Sequence, residues 1–150
     1  MIDIQNTKTC ILLPPELKNN GDFAGNTYLD TAGWGHLRVE FITGTGDTTV
    51  GSTAEGTAPL VEQCDTTDGS YTAVTDAALA DSISALEDDK LFAIDIDITK
   101  SHKRYMRVQA PHAGAGTTGN NLAIIGILSK PIGQGPGSAA DQGLTEHIVA

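Results

Sequence analysis

A chain of 150 residues with 39% apolar side chains is long enough for one domain whose core needs neither metal nor disulfide support. A formal net charge of −10 sets it against polyanions, because nucleic-acid binding relies on Lys and Arg displacing counterions from phosphates. No charged-then-apolar leader opens the chain and no apolar run approaches the roughly 20 residues of a membrane span, so the expectation is a soluble protein made in a cytoplasm, with no nucleic-acid or membrane partner.

High Gly (17), few aromatics and abundant Thr, Ala, Asp and Ile are the composition of short strands joined by turns. Residues 1–8 read as a possible N-terminal arm, running into a first strand "KTCILL" (8–13) that the turn cluster "PPELKNNGD" ends. "NTYLD" (26–30), the turn "TAGWG" and "HLRVEFIT" (36–43) follow, then a long Gly/Thr loop "GTGDTTVGSTAEGT" before "APLVEQC" (58–64). "DTTDGS" (65–70) reads as a hairpin turn with Gly69 left-handed, leading into "YTAV" (71–74).

The stretch "TDAALADSISALEDD" (75–89) is the one helix candidate, with Thr75 or Asp76 as cap and Ala78, Leu79, Ile83 and Leu86 near one face; a long crossover loop is the alternative. "LFAIDIDIT" (91–99), "RYMRVQA" (104–110) and "LAIIGILS" (122–129) complete the strands, with "HAGAGTTGNN" as a turn. Residues 1–130 are thus expected to be a single all-β sandwich or barrel of about eight strands with at most one short helix, and the Gly- and Pro-punctuated 131–150 a C-terminal arm.

Positive charge is concentrated in "KSHKRYMRVQAP" (100–111). In "LFAIDIDIT" the residues Phe92, Ile94, Ile96 and Ile98 share one face and Asp95 and Asp97 the other, while Met106, Val108 and Ala110 make the apolar face of "RYMRVQA". Pairing these two segments as a hairpin sets Asp97 against Arg107, so the basic stretch is expected to complement the acidic strand beside it. Lys100, Lys103 and Arg104 are alternatively the contacts for an acidic protein partner.

Several patterns touch on chemistry. "DIDIT" has the D-x-D-x-T form that supplies an aspartyl nucleophile in haloacid-dehalogenase-like phosphatases, but that chemistry needs a parallel strand, a following helix and Mg²⁺, and the next segment here is another alternating strand. "GTGDTTVG" lacks the GKT or GKS of a phosphate-binding loop, and "DTTDGS" lacks the oxygen spacing of an EF-hand. His36, His102, His112 and His147 sit on separate segments and read as surface side chains, and Cys10 and Cys64 as reduced, half-buried small hydrophobes, so no metal or other cofactor is expected. Trp34 with Tyr105 could form a sugar-stacking platform, although a lone Trp in a turn more often packs over a sheet edge.

Taken together, "YLDTAGWGHLRVEFITG", "VEQCDTTDGSYTAV", "KRYMRV" and "LAIIGILSKPIG" resemble a pattern found in small virion proteins of tailed bacteriophages, over roughly residues 26–135. The resemblance aligns Asp30, Thr31 and Gly33 with the turn before a strand, and Lys103, Arg104, Tyr105 and Arg107 with a basic-aromatic strand. It implies a jelly roll that decorates and cements a capsid without enzymatic activity, carried on the virion surface. Its partners would be the major capsid protein and further copies of itself, as a dimer or trimer at the shell's symmetry axes. Contacts are then expected at Lys100, Lys103 and Arg104 and in the arms at Ile132, Ile148 and Val149, and a carbohydrate-binding jelly roll using Trp34 and loop acids is the other reading.

Overall fold

The strand that alternation predicts at 36–43 extends at both ends and takes in Trp34, expected in a turn: in β4 (Trp34–Gly46), Leu37, Val39 and Phe41 are buried while Arg38 and Ile42 are exposed. The computed structural model describes residues 6–24, 28–51, 58–112 and 116–133, and Ile148, Val149 and His147 lie outside them. Among the described residues no α-helix forms, and the remaining strands are β1 (Lys8–Lys18), β2 (Phe23–Ala24), β3 (Leu29–Asp30), β5 (Leu60–Cys64), β6 (Thr72–Ala78), β7 (Leu91–Asp97), β8 (Tyr105–Ala110) and β9 (Asn120–Pro131).

Two antiparallel sheets pack face to face. One has the order β1-β9-β4-β7; in the other, β2-β8-β5-β6, the short β3 also pairs with β8. Since β2 and β3 lie one after the other along the same edge of β8, they act as a single interrupted strand, and the sandwich has eight strand positions. The pairings nest: β5 with β6, β4 with β7, β2/β3 with β8, and β1 with β9, which is the rolled-up hairpin of a jelly roll. Between the sheets lie Leu37, Val39 and Phe41 of β4, Leu122, Ile124 and Leu128 of β9, Ile94 and Ile96 of β7, and Met106, Val108 and Ala110 of β8.

That nesting overturns the expected hairpin between "LFAIDIDIT" and "RYMRVQA". In a rolled hairpin the strands that follow the central β5–β6 pair alternate between the two sheets, so β7 pairs with β4 and β8 with β5. Each strand's buried face is as expected; the partner is not, and Arg107 stands opposite Glu62 while Asp97 stands opposite His36.

The helix expected over 75–89 is also absent. Residues Thr75–Ala78 finish β6, and the rest is an extended crossover in which Ile83 bridges to Val50. Ser84 and Glu87 do form the reciprocal contacts of a helix start, Glu87 Oε2 accepting from the Ser84 amide at 2.7 Å, but Asp88, Asp89 and Lys90 follow, and Asp89 takes a left-handed turn with φ of 55°. The four apolar positions do not form one buried face: Ile83 is 3% exposed and Leu86 91% exposed.

β1 continues through Pro14 and Pro15, which read as a turn in the sequence. It is an edge strand with two register shifts, between Ile11 and Leu13 and between Leu13 and Glu16, and the second spans the two prolines, which donate no hydrogen bond. The first shift lets Leu12 and Leu13 in succession point into the core. Gly69 is not left-handed; its place requires glycine because an added Cβ would come 2.6 Å from Cys64 Sγ and Thr66 Oγ1. Nor is His112 a surface residue: it is 1% exposed, packed against the Phe23 ring, with Nε2 2.8 Å from Thr48 Oγ1.

The loop after β4 is clasped to the start of β9. The Asp47 carboxylate accepts the amides of Thr117, Thr118 and Gly119 at 2.7, 2.7 and 2.8 Å, and these bonds hold its pKa below the ordinary aspartate value. A carboxyl whose pKa is lower folded than unfolded adds stability above the unfolded value and loses it as pH falls through the folded one. Asp47→Asn is therefore expected to speed amide exchange at 117–119 at neutral pH, and to leave a variant that responds less than the parent to acidification below about pH 4. Equal exchange rates in parent and variant would show that the clasp contributes nothing.

Candidate interaction surface

The basic stretch lies along β8 and the loop before it, on the outer face of the β2-β8-β5-β6 sheet, and three of its four charges are matched within the chain. Arg104 Nε donates to Asp30 Oδ1 at 2.9 Å and its Nη2 to Asp30 Oδ2 at 2.8 Å, a two-pronged pair. Arg107 Nε donates to Glu62 Oε2 at 2.8 Å, and Lys103 Nζ lies 3.8 Å from Asp65 Oδ2. The Arg104 hydrogen bond, as the largest cause, depresses the Asp30 pKa, and the same bond raises that of Arg104.

Why these partners meet follows from the strand order. β3 and β5 flank β8 on opposite sides, so Asp30 stands opposite Tyr105 beside Arg104, and Glu62 stands opposite Arg107. Thr31 adds two bonds to the Arg104 carbonyl, from its amide at 3.0 Å and its hydroxyl at 2.7 Å. Gly33 closes that turn in the left-handed region, φ 83°, where a Cβ would be strained. The "LDTAG" turn is in this way locked to "KRY".

Aromatic rings complete the surface. The chain's three tyrosines all belong to it: Tyr28 meets Tyr105 edge-to-face at 5.5 Å, the Arg104 guanidinium lies 5.1 Å from the Tyr105 ring centre, and that of Arg107 4.2 Å from the Tyr71 ring centre. Burial, the largest cause, pushes the Tyr71 hydroxyl pKa up. Glu62 and Arg107 are expected to couple by about 0.5–1 kcal/mol in a double-mutant cycle read by denaturant unfolding. Asp97 and Arg107, in opposite sheets, are expected to show no coupling in the parallel cycle; measurable coupling there would contradict the strand order.

The other expected contact residues are dispersed. Lys100 sits away from the tyrosines, lining a groove of about 320 Å³ between β6 and β7 with Asp76, Asp95, Asp97 and His102. Ile132 is 69% exposed just past β9, yet its amide bonds the Gly33 carbonyl at 2.7 Å, so the segment expected to leave as an arm is still attached there. Trp34 is partly buried against the core, beside the end of β9 at Pro131. Asp95 and Asp97 of "DIDIT" point outward from an antiparallel edge strand, Asp95 Oδ1 lying 3.2 Å from His36 Nε2. Among the described residues no three His, Cys, Asp or Glu side chains are arranged to hold a metal, and no helix is long and apolar enough to cross a membrane.

The tyrosine set is not legible in the sequence: Tyr28 precedes β3, one strand from β8, and Tyr71 precedes β6, two strands from β8 across β5, so only the strand order brings them near Tyr105 and Arg107. No protein-family model, no curated protein and no solved structure matches the chain.

Proposed function

We propose that this chain is a structural virion protein that decorates and cements a bacteriophage capsid by binding its major capsid protein. It would be made in the host cytoplasm and carried on the capsid surface. One observation carries the reading. Residues from three of the four stretches that carry the resemblance to small phage virion proteins meet on one surface, Asp30 and Thr31 with Arg104, and Glu62, Asp65 and Tyr71 with Arg107 and Lys103, while the fourth stretch, "LAIIGILSKPIG", lies in the opposite sheet.

The network suits the role physically. Arg and Tyr are the side chains that most often anchor protein interfaces, and here ion pairs and ring contacts hold them in place before binding, so less conformational freedom is lost on docking. A stiff jelly roll repeated over a symmetric shell gains further from many simultaneous attachments. The test is sedimentation of particles from the native source. The chain is expected to travel with them in fixed ratio to one abundant shell protein, and recovery in the soluble fraction alone would sink the proposal. Quenching of the lone Trp34 by sugars would favour the carbohydrate-binding alternative.

A further inference from the structure

β6 and β7 are the outermost strands of their sheets on the same side of the sandwich, and the groove that Lys100 lines runs between them. Its walls take successive residues from each strand, 74–77 of β6 and 95–97 of β7. Side chains alternate between the two faces of a strand, so a wall made of neighbours in sequence is the strand's edge, where backbone N–H and C=O groups have no ladder partner. The two edges differ. β6 is bulged there, since Ala73 to Ala78 stand against only Glu62 to Leu60 and Asp76 takes φ of 59°. β7 is regular: it pairs with β4 from Leu91 opposite Ile42 to Asp97 opposite His36 without a shift, and among the described residues no strand pairs with its other side. β7 is therefore the edge fit to accept a further strand.

A strand added there presents its side chains alternately to two environments. On one face its neighbours are the apolar Ile96, Val74 and Ala77, and on the other the carboxylates of Asp95 and Asp97. Asp95 is partly matched within the chain, by His36 Nε2 at 3.2 Å and by Arg38 Nη1 at 3.8 Å, a guanidinium shared with Glu40. Asp76 and Asp97 have no ion pair among the described residues; Thr99 donates to Asp97, while Lys100 and Lys130 act on it only from a distance. His102 lines the same groove, and its buried Nδ1 has no hydrogen-bond partner among the described residues.

We infer that this groove receives an extended segment of a partner protein, basic and apolar at alternate residues, which pairs along the free edge of β7. Charge selects the occupant: three aspartates against one lysine line the groove of a chain whose net charge is −10. The chain's own remaining segments cannot supply it, because all nine Lys and Arg lie among the described residues and the other segments contain neither. A second copy offers no such strand either. The basic residues of β4, β8 and β9 lie on strands paired on both sides, and the edge strand β1 has Lys8 and Lys18 only at its two ends, with two prolines between.

The test takes the purified full chain and synthetic peptides of β7's length, with no shell protein present, so its failure and that of the capsid reading are separate results. A peptide alternating Lys with Val is expected to bind and to slow amide exchange within Leu91–Asp97. The same residues arranged in two blocks, or the alternating peptide N-methylated along its pairing edge, are expected to bind at least about tenfold more weakly, because charge is kept and strand pairing is lost. Asp76→Asn combined with Asp95→Asn keeps both side-chain shapes, and Asn tolerates the left-handed backbone at 76; this variant is expected to melt with the parent and to weaken binding about fivefold. Glu16→Gln combined with Asp68→Asn, an equal loss of charge on β1 and in the β5–β6 turn, is expected to change nothing. Equal binding of the block peptide, slowed exchange at another edge in place of β7, binding that the Asp76 and Asp95 substitutions leave intact, or no saturation up to millimolar peptide would overturn it.

Discussion

Phe41→Ala is expected to cost about 3–5 kcal/mol and to lower the melting temperature by about 10 °C. Phe41 is 0% exposed at the middle of β4, opposite Ile124 on one side and Phe92 on the other, and it projects between the sheets. Removing the ring there forfeits its transfer from water and opens a void in a layer about 10 Å thick that β4 and β9, each paired on both sides, cannot collapse to fill. A domain of ordinary stability has about 5–15 kcal/mol in total, so the variant is expected to be folded at 25 °C and marginal when warm. Denaturant unfolding checks this, and a loss under about 1 kcal/mol would mean that the core does not centre on Phe41.

Gly119→Val is expected to destabilise by at least about 2 kcal/mol, for two reasons that add. Gly119 takes φ of 89°, a conformation that costs a β-branched residue about 1–3 kcal/mol. A Cβ there would also collide with the Lys18 carbonyl oxygen, which is backbone of the neighbouring strand and cannot swing aside. Gly21→Ala is the control, with a similar φ of 89° but open space around the added carbon, so it carries the strain without the collision. If the two variants unfold at the same denaturant concentration, the close approach of Gly119 to β1 has no energetic weight.

Much of the fold was legible because period-two alternation is a local signal. Ile94, Ile96, Met106, Val108 and Leu37 are buried as their spacing requires, and the jelly-roll sandwich follows from enough such strands. Pairing is not local. The parity argument that joined β7 to β8 held for the faces of both strands, yet it could not tell a hairpin from a crossover between sheets, because either arrangement keeps the same residues inside. The crossover at 79–90 misled for a related reason: Leu79, Ile83 and Leu86 have helical spacing, but Ile83 is buried by its bridge to Val50, some thirty residues earlier in the chain. Two adjacent prolines in β1 are tolerable only because the strand lies at an edge, which composition does not reveal. Of the candidate surface, the basic stretch was visible and its acidic complements were not, since Asp30 and Glu62 reach Arg104 and Arg107 through β3 and β5.

The nested pairing also sets a timetable for synthesis. β5 with β6 is the one pair of strands that neighbour in sequence, and every other ladder waits for a later segment, the last joining Lys8 to Leu128. As the chain leaves the ribosome, β1 has no partner and β4 none but β7 until β9 is made and inserts between them. Long-range pairing of this kind folds in milliseconds to seconds rather than microseconds. A nascent chain halted before residue 120 thus holds "HLRVEFIT" open to solvent with half of its ladder missing, which makes ribosome stalling ahead of β9 an aggregation hazard for this protein.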